Sequence, residues 1–363
     1  MRQVWTLFNI SGGQNLSMSQ GRLKQILLIP DYHVLVRYLA RPTGYKKELT
    51  WRKSPPYKAG EAEHRKQLGA LSRLPDEILI MIFKTFIQRS EEEDHLWGLY
   101  TLAVTNSYLA EIAYEVVQRH FMWMSQQWEG HRLICVGSRA EVKDLPPRVF
   151  YPHEVAVMDQ YDNELTEYLY GKCPDDDSKS HIDGYDLNKA PRSLGLRELR
   201  RGSDDLAKCL EDLSLFRVVY DAPPQDWILA NTTAMEFVRF DAIVNLQDCL
   251  DRVTTGPFLD TKYQAFGLGH VILSRICWSS AGSDMRTDGL SYELHRGPWA
   301  GHRFTIITRD TLGRGEGWKD ISEQVVKDME VLARGYYGRN WRKCVKQKRP
   351  PPRSIPVDPR YRF

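Results

Sequence analysis

The sequence predicts an α+β protein: a helical module, then a mixed, strand-rich α+β domain, with poorly ordered basic ends. Three observations lead there. Apolar residues recur at helical spacing between Leu68 and Met124, short apolar runs bounded by Gly, Pro and Asp follow from Gln126 to Cys344, and charge separates along the chain. Residues 1–67 hold 12 Lys and Arg against 4 Asp and Glu, residues 68–338 hold 29 against 42, and residues 339–363 hold 9 against 1. An acidic body carries two basic ends.

Residues 1–67 read as a basic, weakly structured N-terminal extension. The apolar segment Ile26-Leu27-Leu28-Ile29 is broken by Pro30 and resumes at Val34-Leu35-Val36, which suits two short strands or a weak helix. Residues 41–65, rich in Lys, Arg, Pro and Gly, read as a linker. Residues 68–125 form the helical module. Pro75 suits the first helical position, and Asp76 and Glu77 place negative charge where the helix dipole favours it. Between Ile78 and Ile87 only Lys84 and Thr85 interrupt the apolar run, so the greasy surface exceeds the stripe that one neighbouring helix covers. Leu96, Leu99, Tyr100, Leu102, Ala103, Leu109, Ile112 and Ala113 mark an amphipathic second segment. Packing it on the first leaves Leu74, Pro75, Ile78, Ile82 and Phe86 as a patch of the kind that marks a protein interaction site.

These residues resemble an F-box, the helical module that docks on the Skp adaptor of a Skp–cullin–F-box ubiquitin ligase. The matching pattern is Leu-Pro-x-Glu-Ile-Leu-x-x-Ile-Phe over Leu74 to Phe83, then Leu-Ala-x-Thr over Leu102 to Thr105, Leu109 and the Ile112-Ala113 pair. Asn106 and Ser107 stand where the family often has Cys and a basic residue. The resemblance implies adaptor binding through Leu74, Pro75, Ile78, Leu79, Ile82, Phe83 and Phe86, with cullin reached through the adaptor.

Residues 126–345 read as the mixed domain that recognises a target. Strands are expected at 132–136, 215–220, 227–230, 235–238, 271–277 and 303–308, and helices at 152–170, 203–213 and 321–334. Within it, Trp128-Glu-Gly-His-Arg and Trp299-Ala-Gly-His-Arg share Trp-x-Gly-His-Arg ahead of a strand, 171 residues apart. One expectation makes His131, Arg132, His302 and Arg303 polar binding points for an acidic ligand, with each Arg near the preceding Trp. The other makes them two similar turns entering neighbouring strands. The strings Trp227 to Arg239, Leu268 to Ser280 and Gly297 to Phe304 also resemble stretches of filamentous-fungal F-box-like proteins, which implies the same order of helices then mixed domain.

No catalytic signature is complete. His153-Glu154 lacks a second His at Val157, Ser280 lacks the first Gly of a nucleophile elbow, and Gly267-Leu-Gly269 lacks the third Gly of a dinucleotide turn. The six Cys are scattered singly, so no zinc site, disulfide framework, metal or cofactor is expected. No stretch of eighteen uncharged apolar residues occurs, and no membrane partner is expected. Residues 346–363 read as a basic, Pro-rich disordered tail; the run with Arg342, Lys343, Lys346, Lys348 and Arg349 has a composition that suits either nucleic acid or a nuclear import receptor, or a solvated tail with no partner, and the sequence shows no pattern that reads nucleic-acid bases. The expectation is a non-catalytic, cytoplasmic or nuclear adaptor subunit of a ubiquitin ligase that holds an unknown target protein. The alternatives are a non-ligase scaffold with an F-box-like core, or an enzyme whose site the motifs do not reveal.

Overall fold

The computed structural model describes residues 3–17, 23, 27, 33–45, 69–88, 98–99, 102–103, 106–125, 128–146, 149–158, 165–173, 218–220, 222–253, 256–259, 265–282, 288–312 and 317–347. Along the chain, β1 (Trp5–Asn9), β2 (Gln14–Ser17), α1 (His33–Leu39) and β3 (Gly44–Tyr45) precede helices α2 (Asp76–Gln88) and α3 (Ser107–Ser125). Next come β4 (Leu133–Gly137), α4 (Pro152–Met158), α5 (Leu165–Lys172) and β5 (Val218–Val219). The chain continues through β6 (Trp227–Asn231), β7 (Glu236–Arg239), α6 (Phe240–Leu246), α7 (Leu268–Ile276) and β8 (Cys277–Trp278). It closes with β9 (Phe304–Thr308), β10 (Lys319–Asp320), α8 (Ser322–Tyr337) and α9 (Trp341–Lys346). The class is α+β. Two compact units form, one from residues 1–41, 126–176 and 221–363, the other from 42–125 and 177–220.

The larger unit carries two sheets, β2-β1-β4-β8 and β10-β7-β6-β9. They are built alike. β1 pairs antiparallel with β2 and β4, and β6 pairs antiparallel with β7 and β9, in matching register: Trp5 faces Gly137 as Trp227 faces Thr308, and Asn9 faces Gln14 as Asn231 faces Glu236. Each inner strand opens on Trp and closes on a buried Asn, in Trp-Thr-Leu-Phe-Asn and Trp-Ile-Leu-Ala-Asn. The turn that follows holds a left-handed residue at the same place, Gly13 at φ 63° and Met235 at φ 57°.

The helices repeat as well, with an exchange. His33-Val34 in α1 and His270-Val271 in α7 begin similar segments, whose ends dock on the opposite copy's strand. Ala40 forms a parallel bridge to Ile306 in β9, and Cys277 pairs parallel with Cys135 in β4. The two copies are therefore interlocked, and the core is shared: Phe8, Ile134, Val136, Met158, Leu165 and Leu169 of the first copy pack with Trp278 and Ala300 of the second.

For residues 3–17 and 33–45 this overturns the reading of residues 1–67 as a weakly structured extension. β1 is an inner strand, buried along its whole length, and α1 buries Leu35, Val36 and Leu39. The signal was missed because a strand covered on both faces shows no alternation of apolar and polar residues. For the same reason the strand expected at 271–277 is mostly helix. Every residue of α7 is buried, so it lacks a polar face, and its start is closed by the Gly267 N–H donating to His270 Nδ1 at 3.0 Å. Of the helix expected at 152–170, Pro152–Met158 and Leu165–Lys172 are helical, and residues 159–164 lie outside the described residues. The helix expected at 203–213, most of the 41–65 linker and the tail beyond residue 347 lie outside the described residues.

The smaller unit has its own core. Leu79, Phe83 and Ile87, spaced one turn apart on α2, pack with Leu99, Ala103, Leu109, Ala113 and Val116. Asn106 starts α3 by accepting the Tyr108 N–H on its side-chain oxygen at 2.8 Å, an N-cap bond. The Tyr108 hydroxyl then donates to Asp76 at 2.5 Å, tying the starts of the two helices together.

Met235 strains its turn where the first copy has glycine. An L residue in the left-handed region costs about 1–2 kcal/mol, partly offset by the greater unfolded-state entropy of glycine. Met235→Gly is expected to raise stability by about 0.5–1 kcal/mol in urea unfolding, whereas Gly13→Met is expected to lower it.

Candidate functional site: an open helix face and two paired turns

The helical spacing that sends Leu79, Phe83 and Ile87 inward sends other apolar side chains outward. Ile78 is 40% exposed and Met81 60% exposed, although both are large and apolar. Pro75 is exposed beside them, and Leu74, Ile82 and Phe86 are half-buried against the edge of the core. Thr85 sits within this stripe with its hydroxyl donating to the Met81 carbonyl at 2.9 Å. Fully burying a side chain such as Ile or Met is worth about 1.5–3 kcal/mol, so the stripe holds unused binding energy. Two of the residues expected to contact an adaptor belong elsewhere: Leu79 is 2% exposed and Phe83 is fully buried, so both hold the core and neither reaches a partner. The expected surface is thus narrower, and Met81, which the motif leaves unspecified, belongs to it.

The two Trp-x-Gly-His-Arg turns match each other bond for bond. Gly130 and Gly301 lie at φ 69° and 73°. The Gly130 N–H donates to the Phe304 carbonyl at 2.8 Å, and the Gly301 N–H donates to the Leu133 carbonyl at 2.7 Å. The Arg132 carbonyl accepts the Ile10 N–H at 2.9 Å, and the Arg303 carbonyl accepts the Thr232 N–H at 3.0 Å. Arg132 N–H donates to Ser11 Oγ at 3.1 Å, and Arg303 N–H to Thr233 Oγ1 at 3.0 Å. Arg132 and Arg303 face each other across an antiparallel bridge. The turns are alike, as one of the two sequence expectations has it, but they lead into strands of different sheets, β4 and β9, bridged at their entry.

Each His is held by its copy's buried Asn. Asn9 Nδ2 lies 3.0 Å from His131 Nδ1, and Asn231 Nδ2 lies 2.9 Å from His302 Nδ1. Each Asn oxygen also accepts a turn N–H, from Gly12 at 2.9 Å and from Ala234 at 3.1 Å. The amide donates, so Nδ1 accepts and the proton sits on Nε2. Burial lowers the pKa of both rings, helped at His131 by the charge of Arg303 and opposed at His302 by Glu236.

The motif Trp rings repeat too. Trp128 Nε1 donates to Gln14 at 2.7 Å and Trp299 Nε1 to Glu236 at 2.9 Å. Tyr38 packs on Trp128 with ring centres 4.9 Å apart, and the Arg275 guanidinium lies 4.9 Å over Trp299. The expected stacking of each motif Arg on its own Trp is corrected: Arg132 lies over Tyr151 at 4.6 Å.

The two arginines have diverged. Arg132 is buried and makes a two-pronged pair with Glu154, at 2.9 and 3.0 Å, and donates to the Val149 carbonyl at 2.7 Å. Lys172 also bonds Glu154. Burial alone would raise the Glu154 carboxyl, but the hydrogen bonds from Arg132, Lys172 and the Tyr151 N–H outweigh it and hold the pKa at about 2. Arg303 stays half-exposed and donates to the Gly130 carbonyl at 2.6 Å. The expectation of an acidic-ligand site at His131, Arg132, His302 and Arg303 is corrected accordingly. The Arg132 charge is already neutralised, both His Nδ1 atoms are engaged, and the four residues join the two copies.

Among the described residues no cluster of three His, Cys, Asp or Glu side chains is placed to hold a metal ion. No helix among them is long and apolar enough to cross a membrane. Burial, with Cys135 beside it, pushes the Cys277 thiol well up, which leaves it a poor nucleophile. Set against known proteins, the chain matches no family model, no characterised protein and no solved structure.

Both histidines and Glu154 have folded pKa values below their unfolded ones, so their stabilisation is complete only above the unfolded values. Stability is expected to fall as pH drops below about 6.5, where His131 and His302 begin to resist protonation. A second loss is expected between about 4.5 and about 2 as Glu154 protonates. His302→Gln should flatten the first phase of a denaturation-midpoint series against pH. Glu154→Gln, which strands Arg132 in the core, should cost about 3 kcal/mol or more at neutral pH.

Proposed function

We propose that this chain is an F-box-type substrate-recognition subunit of a Skp–cullin–F-box ubiquitin ligase. The observation that carries the reading is the outward stripe of α2, where Pro75, Ile78 and Met81 stay exposed while Leu79 and Phe83 on the opposite face complete the core. A stripe of large apolar side chains next to a self-sufficient core fits a helix that docks on a partner. The Leu-Pro-x-Glu-Ile-Leu pattern at its start selects the Skp adaptor as that partner, with cullin reached through it. The larger unit would hold the target protein. Catalysis in such an assembly comes from tethering: a target lysine held near a charged conjugating enzyme reacts at high effective concentration, and no side chain of this chain takes part in the chemistry.

Co-expression with a Skp adaptor tests this directly. The wild-type chain should co-purify with the adaptor, and Ile78→Asp or Met81→Asp should weaken the complex by at least about 2 kcal/mol, roughly thirtyfold, since interface energy concentrates in a few apolar anchors. Both positions are exposed, so the variants should keep the wild-type circular dichroism spectrum. A folded wild-type chain that does not bind the adaptor, or aspartate variants that bind it as well as wild type, would reject the assignment.

A further inference from the structure

The C-terminal end of the larger unit brings together charges that are spread out in sequence. Gly338, at φ 73°, ends α8 and turns the chain into α9. The return closes a cleft of about 640 Å³ whose walls carry Arg334, Arg339, Arg342 and Lys343 against the one carboxylate of Glu330. Glu330 pairs with Arg334 at 2.8 Å and with Arg342 at 3.5 Å. Arg339 and Lys343 are exposed and have no carboxylate within ion-pair distance among the described residues. The indole of Trp341 is buried beneath, and the Arg342 guanidinium lies 5.1 Å over it, which restrains that charge.

We infer that this cleft binds the phosphate backbone of a single nucleic-acid strand. Its volume falls in the range that admits a small ligand and is far too small for a double helix, so an extended strand would lay individual nucleotides in it. Between Val331 and Val357 the sequence has no Asp or Glu, and Lys346, Lys348 and Arg349 continue the positive run. A long stretch of one sign suits a polyanion better than an isolated anion. Arg342 separates the nucleic acid from an acidic peptide: held over Trp341, it presents a flat guanidinium on which a base can stack. The sequence shows only a basic run; Arg334 joins Arg339, Arg342 and Lys343 in one cleft because the chain reverses at Gly338.

The test uses the full chain and a fluorescein-labelled twelve-nucleotide oligothymidylate, with anisotropy followed over a series of KCl concentrations. Wild type should bind at low salt, with affinity falling by about 0.7 log units per log unit of salt for each phosphate neutralised. R339S/K343S should bind about tenfold more weakly, with a slope shallower by about 1.4. K319S/K327S, which removes two exposed charges away from the cleft, should behave as wild type. Equal binding by R339S/K343S and wild type would overturn the inference, as would loss of binding in K348S/R349S alone. So would a polyglutamate peptide that competes as well as unlabelled oligothymidylate, or no binding at low salt. Ile78→Asp should leave oligonucleotide affinity unchanged, so this result and adaptor docking succeed or fail separately.

Discussion

The antiparallel crossing at Arg132 and Arg303 is the joint on which the larger unit depends. There the two copies exchange backbone hydrogen bonds through Gly130, Leu133, Gly301 and Phe304, and each left-handed glycine lets its strand turn into the neighbour. The space at Gly301 is closed by Val149, so a side chain there would collide. Once this crossing forms, the exchanged ends of α1 and α7 have a strand to pair with: Ala40 meets Ile306, and Cys277 meets Cys135. Neither copy has a complete sheet edge or a complete core without the other.

The first copy is interrupted beside the same joint. Residues 42–125 leave the first copy just after Ala40 and return just before Trp128, and the Trp128 N–H donates to the Tyr38 carbonyl at 3.2 Å. Residues 177–220 complete the smaller unit from a second excursion of the chain. The second copy spans the equivalent gap, from Cys277 to Trp299, without an insertion, and the matching contact is the Trp299 N–H on the Arg275 carbonyl at 2.8 Å. The smaller unit has a core of its own, in which Leu79 and Phe83 are buried while Ile78 and Met81 stay exposed.

Buried polar groups hold the two copies differently. Asn9 and Asn231 do the same work in each, satisfying a turn N–H with one atom and a histidine with the other. The charged groups have diverged. The first copy buries Arg132 against Glu154, whereas the second uses Arg275 and Asp328, with Asp328 also accepting from Ser291 N and Oγ at 3.0 and 2.8 Å. Buried pairs of this kind contribute little net stability over an apolar core but are costly to break, so they favour one arrangement over its competitors. In an interlocked repeat, where each strand has a similar wrong partner, that selectivity matters more than added stability.

The sequence by itself determined the class, the start of α2 to within one residue of Pro75, most strands of the second copy and the kinship of the two Trp-x-Gly-His-Arg turns. Each rests on a local signal: a helix cap, an alternating strand, a repeated string. Only the tertiary structure decided that Trp5–Asn9 is an inner strand, that Leu268–Ile276 is a helix, and that Leu79 and Phe83 face inward while Met81 faces out. Segments buried on every side carry no periodicity, because periodicity records the boundary between core and water. The repeat beyond the turns was equally hidden, since its matching positions share geometry more than residue type, with Gly13 answered by Met235 and Tyr38 by Arg275.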